Sequence, residues 1–95
     1  MSNNETDIIE QSFLVFRQGT SSAQYYDSTT DISKDGYVPI YVGYGLNQIG
    51  LHIYLLRMYK NTIDGKFYVN WGLTAGTGGG LSAAILTLYV IYRKV

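Results

Sequence analysis

The chain has no cysteine, one histidine and one proline among its 95 residues. Without cysteine it forms no disulfide and no thiolate zinc site, and it has no thiol nucleophile. His52 cannot assemble a typical zinc site within one chain, although a three-fold axis could bring three copies together. Its apolar neighbours Leu51 and Ile53 instead predict a partly buried structural side chain. We therefore expect no metal and no cofactor.

Charge is also scarce, because Asp, Glu, Lys and Arg make up 15% of the chain, against roughly 25% in soluble domains. Seven basic and seven acidic residues give a formal net charge of zero. The basic residues form no run that would follow a phosphate backbone, so we expect no nucleic-acid partner. A surface this poor in charge indicates that partner subunits cover part of it.

No apolar run is long enough to span a bilayer. The run LSAAILTLYVIY at 81–92 has twelve residues, whereas a spanning helix needs roughly twenty. Its β-branched and aromatic residues favour a strand, and we expect no membrane insertion. The polar, acidic start MSNNETDIIE lacks the basic and apolar regions of a signal peptide.

Ten tyrosines and eleven glycines, together with Val, Ile and Thr, are typical of an all-β domain. Glycine-bearing turns divide the chain into short apolar pieces, which predict about six strands in an antiparallel, jelly-roll-like β-sandwich. Residues 1–11 are expected to be a flexible tether or attachment segment, and 12–95 the sandwich domain. The predicted strands cover 12–18, 24–32, 37–46, 51–59, 66–73 and 81–92.

Side-chain alternation assigns faces to these strands. In 12–18 it puts Phe13 and Phe16 on opposite faces. In 66–73 it puts Trp71 on the apolar, core-facing side and Tyr68 and Asn70 on the other. Strand 24–32 is more polar, which favours a position near a sheet edge.

The strand 37–46 contains the only proline and two alternating glycines. Pro39 cannot donate a ladder hydrogen bond, so it belongs at a strand start or a sheet edge. Gly43 and Gly45 share one face, where they leave a groove or allow another backbone or ring to approach closely.

Strand 81–92 is apolar on both faces, although a two-layer sandwich exposes one face of each sheet. One face carries Ala83, Ile85, Thr87, Tyr89 and Ile91, and the other carries Ala84, Leu86, Leu88, Val90 and Tyr92. A neighbouring subunit is the simplest cover for the second face, so we expect a homo-oligomer. Cover by loops of the same chain is the alternative.

No motif for catalysis is recognisable. GTGGG at 76–80 is not followed by the Lys-Ser/Thr of a phosphate-binding loop and is interpreted as a hairpin loop. The serines and threonines lack a nucleophile motif, and the aspartates suit turns and caps. We expect a protein that is not an enzyme and has no catalytic residues.

Aromatic residues with polar neighbours are the remaining candidates for function. Tyrosine and tryptophan rings stack on sugars, and nearby amides hydrogen-bond their hydroxyls, although most such rings serve cores and interfaces. Tyr44 and Tyr59 lie close to predicted turns, with Asn47 and Gln48 beside the first of them. These four are the predicted ligand-binding residues.

The segment KDGYVPIYVGYGL at 34–46 combines a Lys-Asp-Gly-Tyr turn, a following Pro-Ile and an apolar strand with Gly-Tyr near its end. With KFYVNWGL at 66–73 and LYVIYRK at 88–94, it resembles the small C-terminal β-domains of bacteriophage and prophage tail-fibre, baseplate or receptor-binding proteins. The resemblance covers roughly 13–94. It marks fold positions such as Gly36, Tyr37 and Pro39, not a ligand site.

This resemblance implies a trimeric β-sandwich on a virion, made in the bacterial host cytoplasm and often in contact with bacterial surface glycans. The expected partners are two further copies of the chain, other virion proteins and a surface glycan. The function expected first is a non-enzymatic virion structural protein that binds the host surface, like a tail-fibre tip. The alternatives are a capsid or baseplate decoration protein without receptor binding, and a free-standing carbohydrate-binding module.

Overall fold

Six strands and no helix occur in the part of the chain that the structure, a computed structural model, describes, which is residues 7–17, 24–75, 80–81 and 83–95. Residues 1–6 of the expected tether at 1–11, the turn at 19–23 and most of the glycine-rich loop at 76–80 lie outside these residues. The strands are β1 (Ile8–Arg17), β2 (Tyr25–Asp31), β3 (Tyr37–Leu46), β4 (His52–Lys60), β5 (Phe67–Thr74) and β6 (Ile85–Lys94).

The strands form two three-stranded antiparallel sheets. Sheet A has the order β1-β6-β3, and sheet B has the order β2-β5-β4. Consecutive strands lie in different sheets, except for β4 and β5, which form a hairpin. The prediction of an all-β domain with six antiparallel strands is confirmed.

One core joins the two sheets, and the middle strands supply its centre. Its fully buried side chains from those strands are Val69, Trp71 and Leu73 of β5 and Leu86, Leu88, Val90 and Tyr92 of β6. Phe16 of β1 meets Trp71 edge-on, with ring centroids 6.1 Å apart, so the inner sides of the sheets face each other in a sandwich-like arrangement. Burying each large apolar side chain stabilises the fold by about 1.5–3 kcal/mol. The prediction that Trp71 lies in the core is confirmed.

Each of β1, β3 and β4 contains one β-bulge, between Leu14 and Phe16, Pro39 and Tyr41, and Ile53 and Leu55. The extra residue in β1 brings Phe13 opposite Leu88 and Phe16 opposite Leu86, both of which face the core. The prediction that the two phenylalanines fall on opposite faces is therefore wrong, because a bulge resets the alternation.

Two strand boundaries also differ from the prediction. β1 begins at Ile8, and residues 8–11, expected to belong to a flexible tether, pair with β6. β6 begins at Ile85 and not at residue 81, because the segment before it turns, with the Ala84 amide donating to the Leu81 carbonyl oxygen at 3.1 Å.

The edge assignments are confirmed. β3, which carries Pro39, and the polar strand β2 are both edge strands.

Gly36 and Gly65 have φ values of 81° and 75°, a left-handed conformation that glycine adopts without strain, and they form the expected turns.

The Tyr92 hydroxyl donates a buried hydrogen bond to the Ile32 carbonyl oxygen at 2.8 Å, between the middle strand of sheet A and the end of β2. Tyr92→Phe removes the donor and leaves a buried carbonyl without it. We expect a loss of about 1–2 kcal/mol in the free energy of unfolding, measured by urea denaturation. Tyr89→Phe, at a ring 40% exposed on the same strand, is the control and should change it little.

The same residue predicts a pH dependence. Burial, with a smaller contribution from Asp31, raises the pKa of Tyr92 to about 12 from 10.0. Because the folded state holds the neutral phenol, this stabilising effect is complete below pH 10 and is lost as the pH rises towards 12. The unfolding free energy of Tyr92→Phe should fall less steeply over that window. An equal fall in both proteins would contradict this assignment.

Candidate functional site

The four predicted ligand-binding residues do not come together. Tyr44, Asn47 and Gln48 lie where β3 ends, at the end of the molecule that holds the β3–β4 connection. Tyr59 lies in the other sheet beside the β4–β5 hairpin, opposite Tyr68. The chain crosses from sheet A to sheet B between β3 and β4, which separates Tyr59 from the other three.

Asn47 and Gln48 hold the start of β6 in place. The Asn47 side chain accepts a hydrogen bond from the Ile85 amide at 2.8 Å and donates one to the Ala83 carbonyl oxygen at 2.9 Å. The Gln48 side chain donates to the same oxygen at 3.2 Å. These amides connect two loops, and Asn47 fixes the residue at which β6 begins.

The outer side of sheet A, here called the apolar face, is dominated by large hydrophobic side chains. Its members that are exposed or half-buried are Ile8, Leu14, Tyr41, Ile85, Tyr89 and Ile91. A Cβ at Gly45 would lie 3.2 Å from the Tyr89 ring, and one at Gly43 would lie 3.4 Å from the Tyr41 ring. The prediction that these glycines allow close approach of a ring is confirmed. A cavity of about 220 Å³ lies next to Tyr89.

The outer side of sheet B, here called the polar-aromatic face, has a different chemistry. The bulge in β4 adds one residue between Ile53 and Leu55, and this residue, Tyr54, lays its ring across Gly72 of β5. A Cβ at Gly72 would lie 2.5 Å from Cζ of that ring. The Tyr54 hydroxyl donates to Asp27 Oδ2 of β2 at 2.8 Å, so the ring spans the sheet.

The next row of the polar-aromatic face is hydrophilic. Asn70 of β5 pairs with Thr29 of β2 on one side and with Arg57 of β4 on the other. The Thr29 hydroxyl donates to Asn70 Oδ1 at 2.6 Å, so the amide nitrogen of Asn70 points away from Thr29. The Arg57 guanidinium lies 4.6 Å from the centroid of the Tyr59 ring, an arrangement that favours a cation–π contact.

A second aromatic group follows this row. The Tyr59 and Tyr68 rings stack with centroids 5.9 Å apart and an angle of 30° between their planes. The Tyr68 hydroxyl donates to Asp64 Oδ2 at 2.6 Å. This hydrogen bond lowers the pKa of Asp64 and is the main reason that the pKa of Tyr68 is raised to about 12. The hydrogen bond to Asp27 likewise raises the pKa of Tyr54.

These three rows lie side by side on the polar-aromatic face and are together called the trough. Its floor is Thr29, Asn70 and Arg57, and its walls are the Tyr54 ring on one side and the Tyr59–Tyr68 pair on the other. Gly72 and Tyr68 are four residues apart on β5, so the walls are about 13 Å apart along the strand. Hydrogen-bond donors in the floor and aromatic surfaces in the walls are the groups that bind a hydroxylated ring compound.

The sequence identified one wall of this trough and missed the other. Tyr59 was among the predicted ligand residues, and the alternation in 66–73 put Tyr68 and Asn70 away from the core. Tyr54 was missed because its position depends on a bulge that alternation does not show.

His52 is exposed at the margin of the polar-aromatic face, so the prediction that it is partly buried is wrong.

Comparison of the chain with protein-family models, curated proteins and solved structures found no match. Among the described residues, no three His, Cys, Asp or Glu side chains are grouped so that they could hold a metal ion. The same residues include no helix with the length and hydropathy needed to cross a membrane. The candidate functional surfaces are therefore the outer faces of the two sheets.

The hydrogen bonds of Asn47 predict a structural role for this residue. Asn47→Ala removes the acceptor for the Ile85 amide and should lower the free energy of unfolding by about 1–2 kcal/mol in a chemical denaturation experiment. Gln48→Ala, which removes one longer hydrogen bond, is the matched control and should cost less. If both variants were as stable as the unmodified protein, the two loops would not depend on these side chains.

Proposed function

We propose that this protein is a non-enzymatic structural protein of a phage or prophage virion that assembles through its apolar face and binds host-surface glycan through its polar-aromatic face. The observation that carries this proposal is the chemical contrast between the two outer faces of one small domain. One presents aliphatic residues and tyrosines, and the other presents tyrosines interleaved with Asn, Asp and Arg.

The extent of the apolar face supports self-assembly. Strands of ten residues in a three-stranded sheet present a flat area of about 450 Å². This area includes polar residues such as Ser12 and Thr87 as well as the apolar ones, and an apolar patch of a few hundred Å² is often functional on a soluble protein. The face has few charges, since Glu10, Arg17 and Arg93 are its charged residues among those that pair in register. A second copy with the same face is the partner that this surface fits.

The strand order supports the jelly-roll-like part of the proposal. β1 pairs with β6 in one sheet and β2 pairs with β5 in the other, while β3 and β4 add to the free sides of β6 and β5. Such nested pairing, with connections that alternate between sheets, is the pattern made by wrapping a long hairpin around a core, as in jelly rolls. We propose a reduced jelly roll of six strands.

The proposed location on a virion and the proposed trimeric state are supported by a resemblance. Residues 34–46, 66–73 and 88–94 resemble parts of tail-fibre and baseplate β-domains. A three-fold assembly would turn three apolar faces towards one axis and three polar-aromatic faces outwards. A decoration protein would share the assembly without glycan binding, and a free-standing carbohydrate-binding module would bind glycan without the assembly. The two measurements below separate these functions.

The first measurement is the mass in solution by light scattering after size exclusion. We expect about three times the chain mass of 10.6 kDa. Tyr89→Glu places a charge in the middle of the apolar face and should shift the mass towards that of the monomer. Tyr25→Glu, the same change at an exposed tyrosine of sheet B, should leave the trimer intact. A monomeric unmodified protein would contradict the proposed assembly.

The second measurement is binding to an array of bacterial surface polysaccharides. We expect selective binding that Tyr59→Ala weakens about tenfold, because one of the two rings in this wall of the trough is lost. Tyr44→Ala removes a more exposed ring at the other end of the molecule and serves as the control. A trimer that binds no glycan would favour a decoration protein, and a glycan-binding monomer would favour a free-standing module.

A further inference from the structure

We infer that the trough on the polar-aromatic face binds a neutral, extended oligosaccharide, with the Tyr54 ring as its stacking platform. This inference depends on the proposed glycan binding and specifies where the ligand lies and which class of sugar it is. It follows from the support under Tyr54, from the direction of the hydrogen-bonding groups in the floor and from the charges around the trough.

The Tyr54 side chain is held by two contacts, one between its ring and the backbone at Gly72 and one between its hydroxyl and Asp27. The absence of a side chain at Gly72 lets the ring lie against the strand, and Asp27 holds its hydroxyl at 2.8 Å. The residue is 49% exposed, so one side of the ring meets the sheet while the other meets solvent. A ring fixed before the ligand arrives loses little conformational entropy on binding, which favours affinity from a small contact area.

The floor offers donors, and the end of the trough at Asp27 offers an acceptor. Since Thr29 binds Asn70 Oδ1, the Asn70 amide group turns its nitrogen away from Thr29, and Arg57 adds the donors of its guanidinium. Asp27 accepts from Tyr54 with one carboxylate oxygen and keeps the second for other donors, whereas both oxygens of Asp64 already accept, from the Tyr68 hydroxyl and the Lys66 amide. A hydroxyl group both donates and accepts, so a row of sugar hydroxyls matches this alternation of donors and acceptors.

The charge around the trough disfavours an acidic ligand. Asp27, Asp31 and Asp64 outnumber the two cations, Arg57 and Lys66, and Lys66 already lies 3.9 Å from Asp31. An anionic sugar would meet net repulsion, whereas a neutral sugar would not. The distance of about 13 Å between the walls exceeds the width of one sugar ring, so contact with both walls requires an oligosaccharide.

The test uses purified fragments of bacterial surface polysaccharides in pairs of equal length, one neutral and one containing a uronic or sialic acid. Titration calorimetry against the unmodified protein should give tighter binding of the neutral member of each pair. Gly72→Ala and Tyr54→Ala should each weaken that binding about tenfold, since the first displaces the ring and the second removes it. Tyr54→Phe keeps the ring, loses the bond to Asp27 and should weaken it less.

Two controls separate binding from folding. Gly43→Ala introduces the same methyl group beneath a tyrosine on the opposite sheet, where it would make an ordinary contact at 3.4 Å. This variant should bind like the unmodified protein. Because Gly72 has no positive φ, alanine suits its backbone, and the thermal unfolding curve of Gly72→Ala should confirm a folded protein.

The outcomes distinguish this inference from the proposed function. If the unmodified protein binds no fragment of either kind, both fail. If it binds fragments but Gly72→Ala and Tyr54→Ala bind equally tightly, glycan binding stands and the trough is not its site. Tighter binding of the acidic fragments would overturn the assignment to neutral sugars.

Discussion

The packing of β5 against β6 is the contact on which the rest of this structure depends. Each is the middle strand of its sheet, each has strands on both sides, and their inner side chains share one core. In a domain of 95 residues, where the buried fraction of the surface is small, few other side chains are fully shielded from water. The outer sides of the same two strands then become the centres of the two outer faces, so the core fixes which residues any partner meets.

On both outer faces, tyrosine rings lie over glycine residues. The glycine belongs either to the neighbouring strand or to the strand of the tyrosine itself. Tyr89 lies over Gly45, Tyr41 over Gly43 and Tyr54 over Gly72. A ring laid flat covers the backbone and gives a smooth aromatic surface without a deep pocket. The neighbours of each ring differ in chemistry. Ser12 and Gly43 pair with Tyr89 and Ile91 follows it on the same face, whereas Asp27 and Asn70 lie near Tyr54. The former suits another protein surface, and the latter suits a hydroxylated ligand.

Alternation and turn residues were enough to predict the strands, the core position of Trp71 and the edge position of Pro39, because these depend on side-chain chemistry within one strand. The failures have a different physical origin. A bulge is one extra residue, and it reversed the expected side for Phe16 and brought Tyr54 over β5. The start of β6 depends on a hydrogen bond from Asn47, a residue distant in sequence. Grouping Tyr44 with Tyr59 failed because nearness to turns does not show which end of the sandwich each turn occupies.

The shape of the trough connects the two proposals. It is open and shallow, and only three aromatic rings and a few polar groups would touch a ligand, so a single site would bind weakly. Assembly through the apolar face would turn the polar-aromatic faces away from the shared contact, because the two faces are opposite sides of one two-layer domain. Several weak sites on one particle bind a repetitive polysaccharide much more tightly than one site does, provided that they reach it together. A shallow site with a preformed ring would suit such a surface, since each contact would form and break quickly while the proposed assembly stayed attached.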